Sequence, residues 1–227
     1  MILDIYGEAV KDYYQNQFKA PLFLHNSYGE PEEMPVEVFF REEMDLSTID
    51  HLALIECSGK ILDVGAGTGV HSLILQERGS HVVALENSPG CVEVMTQSGI
   101  EKVINIDFRK HYEKYDTLLV LMNGLGLAGK LKNLTATLQH FKSLLKKDGQ
   151  ILIDSSDISY LYDDLAFPTS HYFGEVRYQY EYKKHKGAWF DWLYVDQNTL
   201  VKHAKQAGLQ LEILMTDEND QYLAHLS

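Results

Sequence analysis

The sequence has little cysteine, few basic residues and no long apolar run. Its two cysteines, Cys57 and Cys91, cannot form a disulfide framework and lack the spacing of metal-ligand pairs. The histidines are equally scattered, so no metal site is expected. Lys and Arg total 20 against 33 Asp and Glu, and this net charge of -13 argues against a nucleic-acid substrate.

The apolar segments are also too short for a membrane span or a signal peptide. No segment reaches the roughly 18 apolar residues that a membrane span requires. Residues 1–20 lack the apolar core of a signal peptide. We therefore expect a cytoplasmic protein that binds no membrane, while the oligomeric state stays open.

The first part of the 227-residue chain is predicted to be a helical cap over residues 1–58. Ile5, Ala9 and Tyr13 form one apolar helical stripe. Residues 20–35 contain three prolines and are predicted to be a loop with extended pieces. A second helix is expected over residues 46–57, with Asp45 or Ser47 as its N-cap.

From residue 59 to the C-terminus, short apolar segments alternate with amphipathic ones. Strands joined by helices predict a doubly wound, mostly parallel α/β sheet, and two final strands bring the total to seven. The predicted strands are 61–64, 81–85, 103–106, 115–122, 150–153, 209–215 and 222–226.

An insertion interrupts this alternation at about residues 174–195. Tyr178, Tyr180 and Tyr182 alternate with polar residues, which predicts an antiparallel hairpin with a turn at Lys186-Gly187. This tyrosine row favours packing within the sheet over recognition of an acceptor. A helix over residues 197–207 should follow, capped by Asp196 and ended by Gly208.

The clearest motif is Asp63-Val64-Gly65-Ala66-Gly67-Thr68-Gly69, which lies between a predicted strand and a predicted helix. Glycines at alternate positions let the backbone turn sharply and come close to a ligand. The helix that follows offers unpaired N–H groups to an acidic ligand. A dinucleotide site spaces its last glycine differently, as G-x-G-x-x-G.

This motif closely resembles the first motif of class I S-adenosylmethionine-dependent methyltransferases. The resemblance covers about residues 60–155 and implies that the glycine loop packs against S-adenosylmethionine. It implies that Glu86, at the end of the second parallel strand, accepts the ribose hydroxyls. Asp107-Phe108 resembles the adenine-binding motif, in which the acid takes the exocyclic amine. The cofactor-binding residues predicted here are Asp63, Gly65, Ala66, Gly67, Gly69, Glu86, Asn87, Asp107 and Phe108.

The segment after the fourth parallel strand departs from one branch of that family. Met122-Asn123-Gly124-Leu125-Gly126 lacks the [DN]-P-P-[YFW] motif of methyltransferases that act on nucleobase amines. The absence of this motif argues against a nucleobase acceptor and favours a small-molecule acceptor. We expect Met122 and Asn123 to touch the cofactor near its sulfonium.

Other candidates lie outside the glycine loop. Arg41 could clamp the cofactor's carboxylate, or instead form a surface ion pair with Glu42, Glu43 or Asp45. The catalytic residues stay unassigned, with Asp154, Asp157 and Tyr14 as candidates, because a general base is needed only if the acceptor keeps its proton. The sequence slightly favours the alternative that Asp154 and Asp157 cap the turn after their strand.

Two other functions remain open on the sequence alone. A nicotinamide-dependent oxidoreductase would use Glu86 on the adenosine ribose, although the glycine spacing argues against it. A non-catalytic module could bind S-adenosylmethionine without transferring its methyl group.

Overall fold

The computed structural model describes residues 3–162 and 166–227. Within these residues, six α-helices are formed by Ile5–Tyr14 (α1), Thr48–Glu56 (α2), Val70–Glu77 (α3), Pro89–Gln97 (α4), Leu131–Ser143 (α5) and Gln197–Ala207 (α6). The strands are Leu22–Asn26 (β1), Glu32–Met34 (β2), Lys60–Val64 (β3), His81–Glu86 (β4), Val103–Asn105 (β5), Tyr115–Val120 (β6), Leu145–Ser156 (β7), Glu175–Tyr182 (β8), His185–Lys186 (β9), Phe190–Leu193 (β10), Leu211–Thr216 (β11) and Gln221–Leu226 (β12).

Seven strands form the larger sheet in the order β11-β12-β7-β6-β3-β4-β5. Strands β4 and β5 are parallel, as are β6 and β7, whereas β12 is antiparallel to both β7 and β11. The smaller sheet has the order β10-β8-β1-β2, and β9 pairs with β8. The doubly wound, mostly parallel seven-stranded sheet predicted from the sequence is confirmed.

The chain divides into two compact units. The first unit comprises Met1–Leu46, Asp63–His111 and Arg177–Phe190, and the second comprises Ser47–Leu62, Tyr112–Val176 and Asp191–Ser227. The boundary after residue 58 stays a prediction.

In the first unit, α1 packs against α4 at a close glycine contact. A Cβ on Gly90 would lie 2.3 Å from the carbonyl oxygen of Gly7. Asp4 joins the two helices, because one of its oxygens accepts from the Gly7 N–H and the other from the Ser88 hydroxyl and the Gly90 N–H. The surrounding core consists of Ile5, Ala9, Val10, Leu22, Val36, Cys91, Val94 and Tyr182.

In the second unit, α5 packs against α6 and β7, and α2 packs against β7 and β12. Ser47 begins α2 with a reciprocal capping box to Asp50. Asp196 caps α6, and Gly208 ends it with a φ of 76°, as predicted. The buried apolar residues include Leu118, Leu119, Val120, Leu134, Leu138, Phe141, Ile151, Leu152, Ile153, Leu200 and Tyr222.

The predicted hairpin turn at Lys186-Gly187 is wrong by three residues. Tyr182 pairs with His185, which places the turn at Lys183 and Lys184. Both lysines have positive φ angles, 49° and 66°, and a two-residue turn of this kind matches the twist of the flanking strands. Neither residue is a glycine or an asparagine, so composition gave no sign of it.

Residues 20–35, predicted to be a loop with extended pieces, contain β1 and β2 as those pieces, because pairing of β1 with β8 satisfies the backbone groups of β1. The turn expected at Asp148-Gly149 lies within β7, which begins at Leu145 and passes through Asp148 with a φ of 61°. The register between β6 and β7 shifts near this position.

Residues 3–162 and 166–227 contain neither a membrane-spanning helix nor a metal-ligand cluster. None of the helices there has both the length and the apolar character needed to cross a membrane. Likewise, no group of three His, Cys, Asp or Glu side chains in those ranges could hold a metal ion.

The glycine contact between α1 and α4 predicts a stability effect. We expect Gly90→Ala to lower the free energy of unfolding by about 1–3 kcal/mol, because the added methyl overlaps the Gly7 backbone. Urea unfolding followed by circular dichroism measures the change. Gly29→Ala is the control, since its Cβ would make only an ordinary 3.6 Å contact with Asn26. Equal stability of both variants would contradict the contact.

Candidate functional site

The glycine loop follows β3 and adopts a backbone conformation that favours glycine. Gly65, Gly67 and Gly69 have φ angles of 73°, 57° and 87°. Gly69 is required for packing as well, since its Cβ would lie 2.3 Å from Ile100 Cδ1 and 2.7 Å from Met95 Cγ. Gly67 instead faces the hydroxyl of Tyr6, 3.6 Å from where a Cβ would stand. Gly67 therefore leaves space beside the loop, whereas Gly69 does not.

The loop is held against the end of β4 by backbone hydrogen bonds. The N–H groups of Gly65 and Ala66 both donate to the carbonyl oxygen of Leu85, at 2.8 and 3.1 Å. The hydroxyl of Thr68 donates to the carbonyl oxygen of Phe39. The loop thus has fixed partners on both sides.

Glu86 is the carboxylate that organises this region. Its Oε2 accepts from the Gly67 N–H at 3.0 Å, and its Oε1 accepts from the N–H groups of Asn87 and Ser88, each at 2.8 Å. A carboxylate has about four acceptor positions, so roughly one, on Oε2, remains for a further donor. Burial raises the pKa of Glu86, and the three N–H groups oppose that shift.

Asp63, the acid that precedes the loop, is almost completely buried. It accepts a 2.7 Å hydrogen bond from the Ser72 hydroxyl on α3. Burial raises its pKa, while His71 and Ser72 oppose the shift. Asp63 therefore ties the loop to the helix that follows it and has no direct exposure to solvent.

Tyr6 and Asp4 at the start of α1 belong to the same region, although the sequence did not point to them. Burial raises the pKa of the Tyr6 hydroxyl well above its usual value, and the nearby charges of Glu86 and Asp4 raise it further. Tyr6 is thus a neutral phenol in negatively charged surroundings. Asp4 could have been found as the N-cap of α1, but its bonds to Ser88 and Gly90 depend on tertiary packing.

Arg41 follows the segment whose Phe39 carbonyl binds Thr68, and it is half-buried. Two of the acids proposed as its surface partners have other contacts: Glu43 pairs with Arg78, and Asp45 forms a capping box with Glu42. Arg41 therefore belongs to the same unit as the glycine loop, two residues from a backbone carbonyl that contacts the loop.

Asp107 is engaged by a neighbour. Both of its carboxylate oxygens accept from the Arg109 guanidinium, at 2.9 and 2.6 Å, and this contact lowers the pKa of Asp107. Phe108 is buried, and the Arg109 guanidinium lies 5.5 Å from the centre of its ring. Arg109 thus covers both residues of the predicted adenine motif.

The second unit holds Met122, Asn123, Asp154 and Asp157. Met122 and Asn123 are consecutive left-handed residues with φ angles of 61° and 57°, a conformation that costs about 1–2 kcal/mol per residue. The Asp154 carboxylate accepts from the N–H groups of Asn123 and Gly124, at 2.9 and 3.0 Å. Asp157 accepts from the Ser159 N–H in a local turn.

Tyr14, the remaining catalytic candidate, ends α1. Its ring stacks on Phe40 with centroids 6.3 Å apart. The structure thus groups Asp63, Gly65, Ala66, Gly67, Gly69, Glu86 and Asn87 at the loop, with Asp107 and Phe108 in the same unit. Their roles in cofactor binding stay predictions.

Comparison with known proteins agrees with this arrangement. Residues 40–213 match the methyltransferase-domain family. The structure is similar to that of an S-adenosylmethionine-dependent methyltransferase from Bacteroides fragilis in complex with S-adenosylhomocysteine. The two are 38% identical, with a TM-score of 0.93 over 100% of this chain and 97% of that one.

Two curated relatives carry more specific names. Glycine/sarcosine/dimethylglycine N-methyltransferase of Actinopolyspora halophila is 30% identical over 49% of this chain and 21% of the relative. Glycine/sarcosine N-methyltransferase of Aphanothece halophytica is 28% identical over 61% of this chain and 57% of the relative. The chain thus spans less than two thirds of the length of either relative.

The position of Glu86 predicts a binding defect. We expect Glu86→Gln to weaken S-adenosylhomocysteine binding by at least about tenfold, because an amide cannot accept all the N–H donors and a ribose hydroxyl at once. Isothermal titration calorimetry measures the affinity. Glu93→Gln, which breaks an exposed ion pair with Lys11, is the matched control. An unchanged affinity in Glu86→Gln would remove Glu86 from the site.

Proposed function

Because the chain belongs to the methyltransferase-domain family, we propose that the protein transfers a methyl group from S-adenosylmethionine to the nitrogen of a small-molecule amine. The observation that favours an amine acceptor is a row of aromatic rings in the first unit, which begins beside the glycine loop. We call this set the aromatic row, and its members are Tyr6, Tyr180, Phe190, Tyr178 and Tyr28.

The residues of the glycine loop fit an adenosyl ligand. The loop's middle glycine leaves space, and Glu86 keeps an acceptor position for a hydroxyl group such as those of a ribose. In the proposal Asp107 accepts from the adenine amine and Phe108 covers the adenine ring. When bound, S-adenosylmethionine supplies an activated methyl group, and the chain's own residues orient the two reactants.

The aromatic row is continuous. The rings of Tyr6 and Tyr180 stack at 5.2 Å, and those of Tyr180 and Phe190 stack at 5.4 Å. Phe190 lies 6.0 Å from Tyr178, whose ring meets that of Tyr28 edge-on at 6.4 Å. Tyr28 is 47% exposed, so the row reaches the surface.

The chemistry of these surroundings favours a cation over an anion. Aromatic faces attract ammonium groups, and each contact contributes about 0.5–2 kcal/mol. The charges of Asp4 and Glu86, which raise the pKa of Tyr6, would repel a carboxylate or thiolate acceptor. Amine methylation yields substituted ammonium products, which such a row can accept. The N-methyltransferase names of the relatives from Actinopolyspora halophila and Aphanothece halophytica support the same choice.

An acceptor panel tests this proposal. Release of S-adenosylhomocysteine is measured with glycine, sarcosine, dimethylglycine and simple alkylamines, and with a catechol and a thiol for comparison. We expect turnover only with amines, and we expect Tyr180→Leu to raise their KM by about 2- to 30-fold, because a ring face is lost. Tyr112→Leu, at an exposed ring of the second unit, is the control.

Two results would contradict the proposal. Turnover confined to the catechol or the thiol would contradict the proposal that the acceptor is an amine. Binding of S-adenosylhomocysteine with no turnover on any acceptor would favour the non-catalytic module.

A second prediction concerns the carboxylate of the cofactor. We expect Arg41→Ala to weaken S-adenosylmethionine about tenfold or more while leaving 5′-methylthioadenosine nearly unchanged, because only the former has a carboxylate for the guanidinium. Competition binding with both ligands measures the difference. Arg78→Ala, which breaks the ion pair with Glu43, is the control. Equal losses for both ligands would make Arg41 structural.

A further inference from the structure

The turn after β6 has a strained backbone that side-chain packing does not explain. Met122 and Asn123 are both left-handed, and neither is a glycine. Met122 is 41% exposed, so no buried side chain holds it in that conformation. Consecutive left-handed residues persist only where the surroundings determine them, and such strain tends to mark functional positions.

Asp154 holds the turn in this conformation. It is 1% exposed on β7, next to β6, to which β7 is parallel. Its Oδ2 accepts from the Asn123 N–H at 2.9 Å, and its Oδ1 accepts from the Gly124 N–H at 3.0 Å. Gln221 on β12 fixes the carboxylate itself through a 2.7 Å hydrogen bond to Oδ2.

The side chain of Asn123 is held by the same strand. The hydroxyl of Ser156 donates to its Oδ1 at 2.8 Å. Strand β7 therefore fixes both the backbone and the side chain of the turn. Ligands of doubly wound sheets bind at the carboxyl ends of the parallel strands, and this turn follows the carboxyl end of β6.

We propose that Asp154 is a positioning residue for methyl transfer, whose carboxylate holds Met122 and Asn123 in the conformation in which they meet the bound ligand. Its carboxylate is 1% exposed and accepts from three N–H donors, so it acts through the turn and not as a general base. The inference rests on the proposed methyl transfer, but not on the identity of the acceptor.

The first test needs no acceptor. In protein labelled with methyl-¹³C methionine, we expect the Met122 resonance, assigned with Met122→Leu, to shift when S-adenosylhomocysteine saturates the protein. In Asp154→Asn the affinity should stay within about twofold, while the Met122 shift is lost or broadened. The proposal would be overturned if the Met122 resonance did not shift on addition of S-adenosylhomocysteine, or if it shifted identically in the wild type and in Asp154→Asn. This holds whatever result the acceptor panel gives.

The second test separates positioning from stability. We expect Asp154→Asn to lower kcat by about 10- to 100-fold, counted per S-adenosylhomocysteine-binding site, with little change in the KM of S-adenosylmethionine. Asp50→Asn is the matched control, because Asp50 is also buried in the second unit but caps α2. It should unfold more easily and keep its kcat per site. Equal kcat losses in both variants would make Asp154 merely structural.

A double-mutant cycle identifies what the carboxylate does. Glycine adopts the left-handed conformation freely, so Asp154→Asn should lower kcat several-fold less in an Asn123→Gly background than in the wild type. Equal losses in the two backgrounds would refute the link to the turn. If Asp154→Asn does not fold, Gln221→Met takes its place, with an expected 2- to 5-fold loss on the order of one neutral hydrogen bond. An unchanged kcat in that variant would also overturn the proposal.

Discussion

The carboxylate of Glu86 is the contact on which the first unit depends most. It lies at the end of β4 and accepts from backbone N–H groups on both sides: one from the glycine loop and two from the turn that begins α4. A buried charge is tolerated only when it is hydrogen-bonded in this way. The same bonds keep the loop's middle glycine and the start of α4 at fixed distances from one acceptor.

Asp154 repeats the arrangement in the second unit. It too is a buried acid on a strand, and it too accepts from consecutive backbone N–H groups of a turn. The two acids differ in what they hold, because Glu86 holds a glycine whereas Asp154 holds residues that have side chains. A buried carboxylate can therefore fix a turn in which glycine adopts a positive φ without strain. It can also hold residues with side chains in the left-handed conformation that they disfavour.

Much of this could be read from the sequence, because local signals sufficed. Caps such as Ser88 and Asp196, and glycines such as Gly208, set helix ends through contacts within a few residues. The Asp63–Gly69 motif could be predicted from its glycine spacing, and Glu86 from its place at the end of a strand. Asp4 and Tyr6 were missed, since their roles come from the approach of α1 to α4, which no local pattern encodes. The Lys183-Lys184 turn was missed because lysine carries no preference for positive φ.

The ion pair between Asp107 and Arg109 has a consequence for ligand choice. If Asp107 takes the adenine amine as proposed, the incoming base must donate to the acceptor position that Arg109 leaves open on Oδ2. An exocyclic amine can do so, because it donates. A hypoxanthine ring presents a carbonyl at that position, leaves Arg109 as the better partner for Asp107, and so would be rejected without any steric clash.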